Sequence, residues 1–71
     1  MQFTDAELET LYSIYLAPRT LQSDFSRQWA FEIGVLASQG HITTQVGTDK
    51  YGRLWRCTQT GLALLTIHKR L

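Results

Sequence analysis

Apolar residues near the start of the chain recur at helical spacing. Leu8, Leu11, Tyr12 and Tyr15 fall on one side of a helix. In front of them, Thr4-Asp5-Ala6-Glu7 reads as a capping box, in which the Thr4 hydroxyl and the Glu7 carboxylate satisfy each other's backbone amides. Phe3 is placed to staple onto Leu8, and Asp5, Glu7 and Glu9 suit the positive end of a helix dipole. Pro18 disfavours a helical conformation at Ala17, so the spacing predicts a helix over residues 4–16.

Residues 17–23, APRTLQS, read as a connector with Leu21 as its anchor to the core. Ser23, Asp24 and Ser26 then offer N-cap oxygens. Phe25, Trp29, Ile33 and Leu36 share one helical face, predicting a second helix over 24–39 that Gly40 ends in the left-handed conformation. From His41 to Val46 the pattern changes to a β-branched, loosely alternating strand with Ile42 and Val46 as its apolar positions. Residues 47–52, GTDKYG, are turn material. Arg53 to Thr58 alternates again: Leu54, Arg56 and Thr58 point one way and Arg53, Trp55 and Cys57 the other, with Trp55 and Cys57 preferred as the buried face. Thr58 or Thr60 caps a last helix carrying Leu62, Leu64, Leu65 and Ile67, and His68-Lys69-Arg70 puts positive charge at its C-terminal end. The predicted fold class is α+β, in the order helix, helix, β-hairpin, helix. A lone hairpin is marginal in water, so it must pack against the helices.

Composition narrows the class. A chain of 71 residues has room for one domain. Hydrophobic residues make up 44% and charged residues 18%, which is globular rather than disordered. The net charge of +1 is unevenly spread: residues 1–16 carry −3, and the remainder +4. That asymmetry predicts an acidic first helix and a basic remainder. The N-terminus lacks the basic and apolar regions of a signal peptide, and no apolar run is long enough for a membrane span. A reducing cytoplasm is the expected location.

Chemistry is sparse. Cys57 is the only cysteine, which excludes an intrachain disulfide. There is no cluster of metal ligands and no Gly-rich phosphate loop, so no cofactor is expected. A Cys57–His41 nucleophile pair across the hairpin is conceivable, but a buried structural cysteine is the better reading. An enzyme is not expected.

A resemblance organises these pieces. Leu36-Ala-Ser-Gln-Gly40-His-Ile42, the basic tip from Asp49 to Arg53, and Thr58-Gln-Thr-Gly61-Leu-Ala-Leu-Leu65 together resemble the winged-helix DNA-binding superfamily over residues 24–65. Many members end the recognition helix with such a Leu…Gly-x-Ile run, carry a wing hairpin, and open the next helix with Thr-x-x-Gly. The resemblance implies a small DNA-binding regulator of double-stranded DNA, of a kind often encoded by phages or other mobile elements. A full member has a separate helix before the recognition helix. Here only APRTLQS precedes it, so that helix is absent, cut to a turn, or merged with its neighbour.

Two surfaces follow. For DNA, Arg27 with Gln28 and Ser26 would read or position, while Lys50, Arg53 and Arg56 hold phosphates and Arg19 extends the basic surface. For a protein partner or a homodimer, Phe31, Gly34 and Val35 form an apolar strip beside Arg27. Gly34 costs a helix interior about 1 kcal/mol relative to Ala, which invites close helix approach as its reason. Burial of Phe31 and Val35 with Arg27 sharing a surface with the wing would favour DNA; an exposed, apolar-rimmed patch made by all three would favour a protein partner.

Overall fold

The Thr4 cap forms as the residues predict. In the computed structural model, which describes residues 3–47 and 50–70, the Glu7 amide donates to Thr4 Oγ1 at 3.1 Å and the Thr4 amide donates to Glu7 Oε1 at 2.7 Å. This box opens helix α1, Asp5–Leu16. Its buried residues are Glu7, Leu8, Thr10, Leu11 and Ile14. Tyr15, expected on the apolar face, lies at the surface and stacks on Tyr12 instead. Phe3 sets its ring edge-on to His41 and packs on the core. Past Leu16 the backbone turns extended at Ala17, one residue before Pro18.

The connector contains a strand the sequence did not signal. Strand β1, Arg19–Thr20, is followed by helix α2, Asp24–Gln28, and helix α3, Ala30–Ser38. The predicted helix over 24–39 is thus two helices, broken at Trp29, whose φ of −108° and ψ of 28° depart from helical values. The break leaves both large rings, Phe25 and Trp29, against the core beside the buried Ile33 and Leu36. Leu21 is 40% exposed and does not serve as the expected anchor. The connector is held by backbone instead: the Leu21 amide donates to the Arg53 carbonyl at 2.9 Å.

Gly40 takes a φ of 78°, the left-handed conformation expected of it. It turns the chain into strand β2, Ile42–Gly47, which pairs antiparallel with strand β3, Lys50–Cys57. Lys50 to Gly52 are therefore strand rather than turn, while Thr48 and Asp49 of the expected tip lie outside the described residues. Pairing aligns Ile42 with Cys57 and Thr43 with Arg56, then shifts register before Gln45 meets Tyr51. Within that shifted stretch β3 pairs on its other side with β1, Arg19 opposite Trp55 and Thr20 opposite Leu54. The three strands run in the order β1-β3-β2. Trp55 and Cys57 face the core, as the alternation predicted. Val46 faces outward, against expectation.

Helix α4, Gln59–Ile67, is capped by Thr58, whose hydroxyl accepts from the Gly61 amide at 3.0 Å and donates to the Gly40 carbonyl at 2.7 Å. Leu65 is fully buried and Leu64 partly, but Ile67 is 73% exposed. Among the described residues the architecture is α+β, with four helices and a three-stranded antiparallel sheet around a core of Leu11, Ile14, Ile33, Leu36, Ile42 and Leu65. No helix among the described residues is long and apolar enough to cross a membrane.

Candidate functional site

The expected DNA contacts divide once their partners are known. Arg27, at the end of α2, reaches back to Asp24 at 3.2 Å, an exposed pair one helical turn apart. Its charge is offset locally, although an exposed pair of this kind holds weakly. Gln28 beside it is exposed. Ser26 is buried, and its hydroxyl donates to the Thr20 carbonyl at 2.6 Å. The same carbonyl accepts from the Ser23 amide at 3.2 Å, so Ser26 tethers α2 to β1 and is not free to meet a ligand.

Arg19 is half-buried. Its guanidinium carbon lies 4.5 Å above the Phe25 ring, and its Nε is buried without a hydrogen-bond partner among the described residues. The cation–π contact compensates part of that loss. Arg19 therefore joins the sheet to α2 more than it extends a basic surface.

Lys50, Arg53 and Arg56 differ from these. All three lie on β3 and are exposed. None is in an ion pair among the described residues; the pairs there involve Arg27 and Arg70. Arg70 joins Asp5 at 3.2 Å and also Glu9, so its charge is spent on the acidic first helix. Tyr51, 72% exposed, stands among the β3 cations. The uneven charge of the sequence thus resolves into an acidic α1 partly neutralised by Arg70 and a β3 whose cations have no ion partner among the described residues.

Beside Arg53 the surface opens into a cleft of about 600 Å³ lined by Thr20, Leu21, Gln22 and Arg53. Of these four, only Arg53 was marked by its charge. The turn after β1 supplies the rest, and a two-residue strand leaves little trace in a sequence.

The expected partner strip lies on α3. Phe31 is 76% exposed, Gly34 is exposed and Val35 is half-buried. A Cβ built on Gly34 would meet no other element within 4 Å among the described residues, so no close helix approach there explains the glycine. The exposed residues of α3 include no Lys or Arg.

Cys57 and His41 sit together at the base of the hairpin without the features of an activated pair. Burial pushes the Cys57 thiol up from its ordinary value, the reverse of what a thiolate nucleophile needs. Its Sγ–H donates to the Thr58 carbonyl at 3.4 Å. His41 is buried, and its Nδ1 has no partner among the described residues. Among the described residues no group of three His, Cys, Asp or Glu side chains is placed to hold a metal ion. No protein-family profile, no curated protein and no solved structure gives a significant match to this chain.

Proposed function

We propose that this chain is a winged-helix-like DNA-binding domain that grips the backbone of double-stranded DNA along β3. The observation that carries the reading is the set of exposed cations Lys50, Arg53 and Arg56 on one strand of the hairpin, none of them in an ion pair among the described residues. Phosphate contacts of this kind supply affinity and position, and carry little sequence information. The element order supports the reading: a short separate helix, α2, precedes α3, and the hairpin follows it as a wing would.

The helix contributes less than the resemblance implies. A recognition helix needs donors and acceptors at its exposed face to read base edges. On α3 that face offers Phe31, Gly34 and Ser38, and Ser38 bonds its own helix at the Val35 carbonyl. The domain accordingly binds DNA with low sequence selectivity, in an accessory rather than an operator-reading role.

The test is duplex binding followed across salt. Neutralising two or three phosphates predicts a log–log slope of about −2 to −3. Undetectable binding at low salt, or a slope near zero, would overturn the proposal.

A second reading rests on Phe31. An aromatic ring this exposed, one turn from an open Gly34, is suited to a protein surface rather than to phosphates. It fits an interaction module or inhibitor on the same scaffold, or a homodimer. Loss of a partner, or of a dimer mass in sedimentation, on Phe31→Glu would favour it; an unchanged monomer would count against it.

A further inference from the structure

The cleft between the β1–α2 turn and β3 is lined by polar side chains that the fold does not use. Gln22 and the Thr20 hydroxyl have no hydrogen-bond partner among the described residues, and Arg53 has no carboxylate partner there. The Thr20 carbonyl, by contrast, is fully engaged with α2. Among the described residues no acidic side chain lines the cleft. Leu21, half out of the core, supplies an apolar wall. The volume, about 600 Å³, is in the range of small-ligand sites, where a few polar groups set orientation against an apolar surface.

Each group answers one part of a nucleotide. A guanidinium binds phosphate in a fork of parallel hydrogen bonds. A primary amide both donates and accepts, so Gln22 can pair with the edge of a base. An aliphatic side chain takes the base face, and a hydroxyl takes a sugar or phosphate oxygen. Bases that are unpaired expose edges a protein can read, which pairing inside a duplex hides.

We propose that this cleft seats a single unpaired nucleotide, its phosphate on Arg53, its base against Leu21 and its edge on Gln22. The inference rests on the nucleic-acid reading of β3 and adds a site to it. The cations of the strand hold the duplex backbone, and the cleft selects an overhang or an extruded base next to it. A free mononucleotide presents the same chemistry, and the experiment separates the two sources.

The full chain is titrated by fluorescence anisotropy against a blunt duplex, against the same duplex with a short single-stranded overhang, and against a mononucleotide competitor. The overhang is expected to bind about tenfold more tightly than the blunt end, the worth of one good base contact. Gln22→Ala should erase that preference and leave blunt-duplex affinity unchanged, while Arg53→Ala weakens both. Gln22 and Arg53 are exposed, so circular dichroism should show both variants folded. Competition by the mononucleotide that Gln22→Ala abolishes would also support the site and identify a free nucleotide as its ligand. Equal affinity for blunt and overhanging duplexes with no mononucleotide competition would overturn the inference, as would a preference that survives Gln22→Ala. Salt-dependent binding of the blunt duplex would still stand in those cases, so the two proposals fail separately.

Discussion

Gly61 faces the carbonyl oxygen of His41 with no room between them for a side chain. A Cβ at Gly61 would fall far inside van der Waals contact of that oxygen and 2.9 Å from Cys57 Sγ. The same carbonyl accepts from the Thr58 amide at 3.0 Å. The N-terminus of α4 therefore closes on the base of the hairpin through backbone, and only glycine permits the approach. Because the obstacle is backbone, it cannot swing aside as a flexible side chain would.

Gly61→Ala should accordingly destabilise the fold by about 2 kcal/mol or more, an overpacking cost at the upper part of the usual range. Urea unfolding followed by tryptophan fluorescence would measure it. A loss under about 0.5 kcal/mol would mean that α4 can shift without penalty.

Arg70 ties the end of the chain to α1 through Asp5 and Glu9. Both carboxylates are largely exposed, so screening limits the gain, although two partners share the ordering of one side chain. Arg70→Gln should cost about 0.5–1 kcal/mol at low ionic strength and less near 1 M salt, where the Debye length falls to about 3 Å. Thermal unfolding at both salt concentrations checks this. A loss of equal size at both would assign the effect to packing of the aliphatic stem.

The Cys57 thiol sets a dependence on alkaline pH. Burial raises its folded pKa above the unfolded value, so the folded state holds this proton more tightly. The contribution is fully present below the unfolded pKa and is lost as pH rises through the folded one. Stability should therefore fall on the alkaline side of the thiol's ordinary range, and less so in Cys57→Ala. Chemical unfolding of both proteins across that range, together with slow reaction of the native thiol with a disulfide reagent, is the check. A native thiol as reactive as a free one would contradict the burial.

Much of this arrangement was legible in local sequence. The Thr4 box, the Gly40 stop and the cap of α4, which the residues left between Thr58 and Thr60, are devices whose helix-end partners lie within four residues, and each formed where its residues stand. Trp55 and Cys57 were legible because alternation on a strand is a two-residue period. What was not legible depended on distant partners. Arg19 and Thr20 become a strand only because Trp55 and Leu54 pair with them from across the chain. Ser26 has the composition of a surface residue, and only the folded position of the Thr20 carbonyl buries it. The break at Trp29 lies inside an unbroken apolar periodicity, which marks the face of a helix and not its continuity. For the candidate site, charge pointed to Lys50, Arg53 and Arg56, but the pairing that separates them from Arg27 required the ion partners to be placed.

Leu36 and Phe31 give opposite expectations from one helix. Leu36 is fully buried among Leu11, Ile14, Ile33, Ile42 and Leu65. Leu36→Ala should cost about 2–5 kcal/mol, since a core this small has few residues to close the cavity. Phe31→Ser removes a ring already in solvent and should change stability by no more than about 0.5 kcal/mol. A large loss on Phe31→Ser in dilute solution, absent at still lower protein concentration, would reveal that the ring is covered by a second copy.

Arg56 and Arg27 separate the two halves of the DNA proposal. Both are exposed cations, but Arg27 is paired with Asp24 and Arg56 has no carboxylate among the described residues. An unpaired cation releases counterions from DNA at no internal loss, whereas Arg27 must first give up Asp24, which would then face the phosphates as an unneutralised anion. Arg56→Ala should weaken duplex binding several-fold at low salt and make the salt slope shallower by about one. Arg27→Ala should have a smaller effect, and Asp24→Asn should tighten binding by removing the anion. Anisotropy titrations of the three variants across salt decide it. If Arg27→Ala proves the more damaging and changes which duplex sequence is preferred, α2 rather than β3 is the element that reads the DNA.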